Sequence, residues 1–208
     1  MTDEQRLKTE EQIFAAAMEV FFEKGYYGAR MQDISDKAGI NKALLHYYYR
    51  SKDKMFEMVF SKTIDKFFEN MAFTLSKDMS LFERIEVAVD NYISFFSDNP
   101  HIPVFVVQEI NRDSEAFKKL MIDKIDMLRN NVMAPFVMSI QENIAKGVIR
   151  PIDFRHLIVN IVSMCIFPVI GKPLIQGVVF ANNSGDWNLF IEERKKAVAE
   201  FVINAIKK

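Results

Sequence analysis

Apolar residues recur along this chain at intervals of three and four, the period of helices buried on one face. Ile13, Ala17, Val20 and Phe21 form such a series up to Gly25. Before them, Thr9-Glu10-Glu11-Gln12 has the form of a capping box. Met31, Ile34 and Ala38 give a short second helix one apolar face. On a short third helix Leu45 and Tyr49 share a face, and the opposite face carries Ala43, His46, Tyr47 and Arg50, with Lys42 near the start. A long helix is predicted over 52–76, with Met55, Val59, Phe67 and Met71 among its apolar positions. Another covers 80–97, with Leu81, Ile85, Ala88, Val89, Tyr92 and Phe96 on one side. Asn99-Pro100-His101 and Pro103 break the chain before a shorter helix over 104–111. Residues 114–145 read as one long helix ending at Gly147, kinked near Pro135. Pro151 and Asp153 open the next, and the last spans 187–207. No segment alternates at period two and no repeat is visible, so the expected fold class is all-α.

The join between the second and third helices is the most specified part of the chain. Gly39 stands where a helix end wants positive φ, and Asn41 is a strong N-cap. Ile40 and Leu45 flank that cap at the spacing of a hydrophobic staple. Two short helices joined by a tight turn are the layout of a helix-turn-helix, whose second helix enters the major groove. A small residue, an imidazole, a phenol and cations suit a surface that meets bases and phosphates. A helical hairpin with a merely polar surface has the same pattern.

Over residues 7–60 the chain resembles the TetR family of bacterial transcriptional regulators. The likeness lies in Gly25-Tyr26, in Asp33-Ile34, in Ala38-Gly39-Ile40-Asn41-Lys42, and in the run from Tyr47 through Arg50, Ser51 and Lys52 to Met55. It implies an N-terminal three-helix bundle at 1–55 that binds DNA through a helix-turn-helix. It also implies a larger helical domain at 56–208 for ligand binding and dimerisation. Expected DNA contacts are Arg30, Gln32, Asn41, Lys42, Ala43, Leu44, His46, Tyr47, Tyr48 and Lys52, the last as a phosphate ligand at a helix N-terminus. The family usually has a small hydroxyl residue where Leu44 stands, a tyrosine at His46, and often Thr or Ser at Arg30. These departures bear on which operator is read.

Composition adds less. The formal net charge is -1, yet residues 41–56 carry four cations (Lys42, Arg50, Lys52, Lys54) against one anion (Asp53). Charge location matters more than the total for a nucleic-acid binder. A single cysteine, Cys165, in an apolar run is expected to be a core residue. A charged start without an apolar signal segment, and an apolar stretch at 157–170 too short to span a bilayer, point to a cytoplasmic protein without a membrane partner. His46, His101 and His156 lack metal-site spacing and there is no Gly-rich phosphate loop. No catalytic residue, metal or cofactor is therefore expected.

Much of the chain's Phe and Met lies beyond residue 55, and such side chains can line an adaptable cavity as well as fill a core. The resemblance implies a pocket for a small hydrophobic ligand, with Phe68, Met71, Phe95, Phe105, Met121, Met127 and Met164 as candidate liners. Residues 154–167 are apolar on nearly all sides, and the last helix bears a stripe of Phe190, Ala197, Phe201 and Ala205. A homodimer interface is expected there, including Phe154, Leu157, Ile158 and Ile161. The expected function is a regulator of transcription, a repressor released from double-stranded operator DNA by that ligand. A constitutive DNA-binding protein and a helical hydrophobe-binding protein without DNA regulation are the alternatives.

Overall fold

The computed structural model describes residues 3–113, 115–180 and 187–208. Among them every extended element is helical: α1 (Asp3–Gly28), α2 (Met31–Lys37), α3 (Lys42–Tyr48), α4 (Lys52–Ser76), α5 (Leu81–Asp98), α6 (His101–Asn111), α7 (Glu115–Leu128), α8 (Ala134–Ala145), α9 (Phe154–Ile170), α10 (Lys172–Val178) and α11 (Trp187–Ile206). The fold is all-α. Two packed units form, Met1–Lys66 with Phe105–Lys124, and Phe67–Val104 with Ile125–Lys208.

In the first unit α1 packs on α2 and α2 on α3. Its core is a continuous aromatic cluster. Phe56 meets Phe21 at 5.2 Å and Tyr26 at 4.9 Å, and Phe105 meets Phe22 at 5.4 Å, Phe56 at 5.7 Å and Phe60 at 6.0 Å between ring centroids. Phe117 closes on Phe60 edge to face at 5.2 Å. Edge-to-face and tilted pairs of this kind add about 0.5–1.5 kcal/mol each beyond area burial. An ion pair from Lys124 to Asp65 at 2.5 Å ties α7 to α4.

In the second unit α5, α9 and α11 share one core. Leu81, Ile85, Val89 and Ile93 of α5 pack with Leu157 and Cys165 of α9 and Val198, Ala199, Val202 and Ile206 of α11. Ser80 caps α5 through a capping box with Glu83. Asn91 of α5 donates to the Thr74 hydroxyl of α4 at 3.0 Å. The end of α11 is tied to the segment before α9, where Arg150 N donates to the Ile206 carbonyl at 2.9 Å.

Several boundaries differ from the sequence expectation, each for a physical reason. The first helix starts at Asp3, so Thr9 is interior; its hydroxyl donates to the Gln5 carbonyl at 2.8 Å instead of capping. Helix α6 begins at His101, because Pro103 falls in a first turn whose N–H groups have no helical partner anyway. The expected helix over 114–145 is two helices joined by a π-helical stretch, Arg129–Met133, in which Ala134 N reaches back to the Arg129 carbonyl. Pro135 follows at once, lacks an N–H, and accounts for the widened turn. Pro168 lies inside α9 rather than ending it, and leaves the Met164 carbonyl without its helical donor. Arg194 of α11 donates to that carbonyl at 3.3 Å. The helix α10 was not foreseen.

Cys165 is fully buried, and burial pushes its thiol up to about 12. A thiol reagent at neutral pH should leave the folded protein unmodified and react fully only after denaturation. Rapid labelling of the native protein would contradict this placement.

Candidate nucleic-acid interface

The turn is built as its residues dictate. Gly39 takes φ 65°, Gly39 N donates to the Asp36 carbonyl at 3.2 Å, and Ile40 N donates to the Ser35 carbonyl at 3.1 Å. This is a Schellman C-cap for α2. Asn41 then caps α3, its side-chain oxygen accepting from Leu44 N at 2.7 Å. Leu45 is fully buried and Ile34 likewise, so α3 is anchored on its inner face. The outer face presents Lys42, Ala43, His46 and Tyr47 to solvent, Tyr47 at 72% exposure. Leu44, Tyr48 and Tyr49 are half-buried. The Tyr47 and Tyr48 rings meet edge to face at 5.5 Å.

The flanks add polar groups. Arg30 is exposed at the N-cap of α2, and its backbone N donates to Asp33 at 3.3 Å. Lys24 pairs with Asp33 at 2.9 Å and holds that carboxyl below its usual range. Gln32 is exposed and donates to Asp36 at 2.7 Å. Arg50 and Lys54 are exposed beside α3, with Ser51 capping α4 by accepting from Lys54 N at 3.2 Å. Lys42, His46, Tyr47, Arg50 and Lys54 are thus all exposed.

Lys52 is placed differently from the expected phosphate ligand. Its ammonium donates to the carbonyls of Tyr26 at 3.0 Å and Ala29 at 3.3 Å, and sits 4.4 Å from the Tyr26 ring centroid. The end of α1 leaves carbonyls without helical donors, and a cation satisfies them and the helix dipole together. The Tyr26 phenol donates to the Asp53 carboxylate, and burial first, then Asp53, pushes it up to about 12.

The candidate ligand-pocket residues fall in both units. Phe68, Met71 and Phe95 belong to the second unit, where Phe67 touches Phe68, Tyr92, Phe95 and Phe96 at 4.8–5.3 Å and Met71 is buried a turn further along. Met164 packs against the core of α5, α9 and α11. Phe105 and Met121 belong to the first unit, where Phe105 is locked in the aromatic cluster. The side chain of Met127 lies outside the described residues. A surface cleft of about 320 Å³ between α5 and α11 is lined by Val87 and Ala199 together with Glu86, Asp90, Lys195, Lys196 and Glu200.

The candidate interface residues divide as well. Leu157 is buried in the subunit's own core, and Phe154, Ile158, Ile161 and Phe190 pack against it. They turn inward because α9 is apolar on every side and α5 and α11 cover one of them. Ala205 is half-buried, whereas Ala197 and Phe201 are exposed. The sequence reading missed the outer stripe of α9, Val159, Phe167 and Ile170, and the exposed Leu189 of α11. The signal was present: these positions share one side of their helix at 100° per residue.

A capped helix-turn-helix with a polar outer helix face, on an all-helical body, defines a protein of the helix-turn-helix class. Residues 13–59 match the profile of bacterial regulatory proteins, tetR family. The transcriptional activator FasR of Mycolicibacterium smegmatis is 30% identical over 84 residues, 40% of this chain and 38% of that relative's length, so the shared part is under half of either. The transcriptional repressor NicS of Pseudomonas putida is 25% identical over 197 residues, covering 89% of this chain and 90% of NicS. The crystal structure of the regulator FadR from Bacillus subtilis, solved with stearoyl-CoA, superposes with a TM-score of 0.64 at 19% identity, covering 95% of this chain and 98% of FadR. The likeness to the tetR family lies in residues 13–59, and these relatives are named as transcriptional regulators. Among the described residues no single helix is long and apolar enough to cross a membrane.

Proposed function

We propose that the protein is a cytoplasmic, homodimeric transcriptional regulator that reads double-stranded operator DNA with α3 and is released from it by a small hydrophobic ligand. The observation that carries this reading is α3 itself, anchored by buried Leu45 and presenting Lys42, Ala43, His46 and Tyr47 outward. Lys42, Arg50 and Lys54 supply phosphate contacts, and His46 and Tyr47 meet base edges. Relatives named as an activator and as a repressor both exist; repression is the sign proposed here. The rings around Phe67 and the thioether of Met71 support an apolar ligand, as does the stearoyl-CoA bound by FadR. A gel-shift with DNA flanking the gene should show a discrete, salt-sensitive complex. Absence of any shift overturns the reading. A ligand at one hundred times its Kd should stabilise the protein by about 2.7 kcal/mol in a thermal screen of hydrophobic compounds.

The homodimer is expected to form through the outer stripes of α9 and α11. Phe201, 66% exposed, lies on the α11 stripe with Ala197, and Phe167 on that of α9 is 50% exposed. Two subunits allow two half-sites to be read together, which raises both affinity and selectivity. In Phe201→Glu the carboxylate would be buried unpaired at the contact, a cost of several kcal/mol. Light scattering at micromolar concentration should give a dimer mass for the wild type and a monomer mass for the variant. A monomeric wild type removes the proposal.

A further inference from the structure

Helix α6 is apolar through most of its length, yet Glu109 near its end is fully buried. A carboxylate in such a place costs several kcal/mol unless partners hold it. Its Oε1 accepts from the backbone N of Tyr26 at 3.2 Å and lies 3.4 Å from Nη1 of Arg112, while Oε2 has no hydrogen-bond partner. An incompletely satisfied carboxylate is a poor way to gain stability, so its position calls for another reason.

The reason lies in what it touches. Gly25, at φ 69° and ψ 176°, ends the regular part of α1, and the amide after it bonds to Glu109. A Cβ at Gly25 would come within 1.8 Å of Arg112 Nη1 and 3.0 Å of Glu109 Oε1, so α6 sits directly on bare backbone. Lys52 of α4 braces the same few residues through the carbonyls of Tyr26 and Ala29. Ala29 is followed by Arg30, the N-cap of α2. Residues 25–29 are thus gripped by α4 and α6 and lead straight into the helix-turn-helix.

Resting on the DNA-reading role proposed above, we propose that Glu109 is the positioning residue that couples α6 to the reading helices, by fixing the kinked end of α1. Any rotation of α6 moves the carboxylate from the Tyr26 amide and loosens the entry to α2.

The test is amide hydrogen exchange on the wild type, Glu109→Gln and Glu109→Ala, with and without DNA selected from a random pool by the wild type. Glutamine retains an oxygen that can accept from Tyr26; alanine does not. Without DNA, the Tyr26 amide should exchange about tenfold faster in Glu109→Ala, the equivalent of one lost hydrogen bond, and near the wild-type rate in Glu109→Gln. With DNA, amides 105–111 should slow in the wild type and Glu109→Gln, but not in Glu109→Ala. Equal slowing in all three, or none in a wild type that binds DNA, overturns the coupling role. Absence of slowing in the wild type overturns the role even if Glu109→Ala does not fold. Failure of the wild type to select any DNA would instead sink the DNA-reading assignment.

Discussion

Phe105→Ala should lower unfolding stability by about 3–5 kcal/mol. The ring is 1% exposed and meets Phe22, Phe56 and Phe60 within 6.0 Å. Truncation removes the transfer free energy of the ring and leaves a cavity that its aromatic neighbours are too stiff to fill. Chemical denaturation should show a lower midpoint with an unchanged slope. If Phe105 lined an open ligand cavity, as the sequence suggested, truncation would cost well under this amount and would weaken ligand binding instead.

Lys52→Ala should act on stability before it acts on DNA. Its two hydrogen bonds to carbonyls, one partner being charged, contribute about 1.5–3 kcal/mol each at most, less the exposed share. A drop in the thermal midpoint with an unaltered salt dependence of DNA binding is the expected pair of results. Lys42→Ala should do the opposite, leaving the midpoint in place and making the salt slope shallower by about one unit. A slope change at Lys52 with stability intact would restore the phosphate role that its position at a helix start suggests.

The helix-turn-helix was legible because each of its parts is local. Gly39, Asn41 and the Ile40–Leu45 spacing act within a few residues, and the structure shows the cap they predict. The start of α4 at Lys52 and of α9 after Asp153 were legible for the same reason. What sequence did not reveal depends on distant partners. Lys52 reads as a cation at a helix start; only the kink at Gly25 brings carbonyls to it. Leu157 and Phe201 are both apolar and helical, and which one faces outward is decided by where α5 lies. Glu109 was not singled out in the sequence, because its partner Tyr26 is 83 positions away in the chain.

The aromatic cluster of the first unit also bears on how reading heads could be exchanged between regulators. Phe105 and Phe117 come from a segment about forty residues beyond Lys66, yet they pack on Phe56 and Phe60 in one interior. A graft cut after Lys66 would carry Phe22, Phe56 and Phe60 without the rings that cover them. The recipient would have to present aromatic side chains at the matching places on its own sixth and seventh helices. Heads of this kind are therefore inherited together with a stretch of body, and recombination between relatives is confined to pairs whose distant helices already fit.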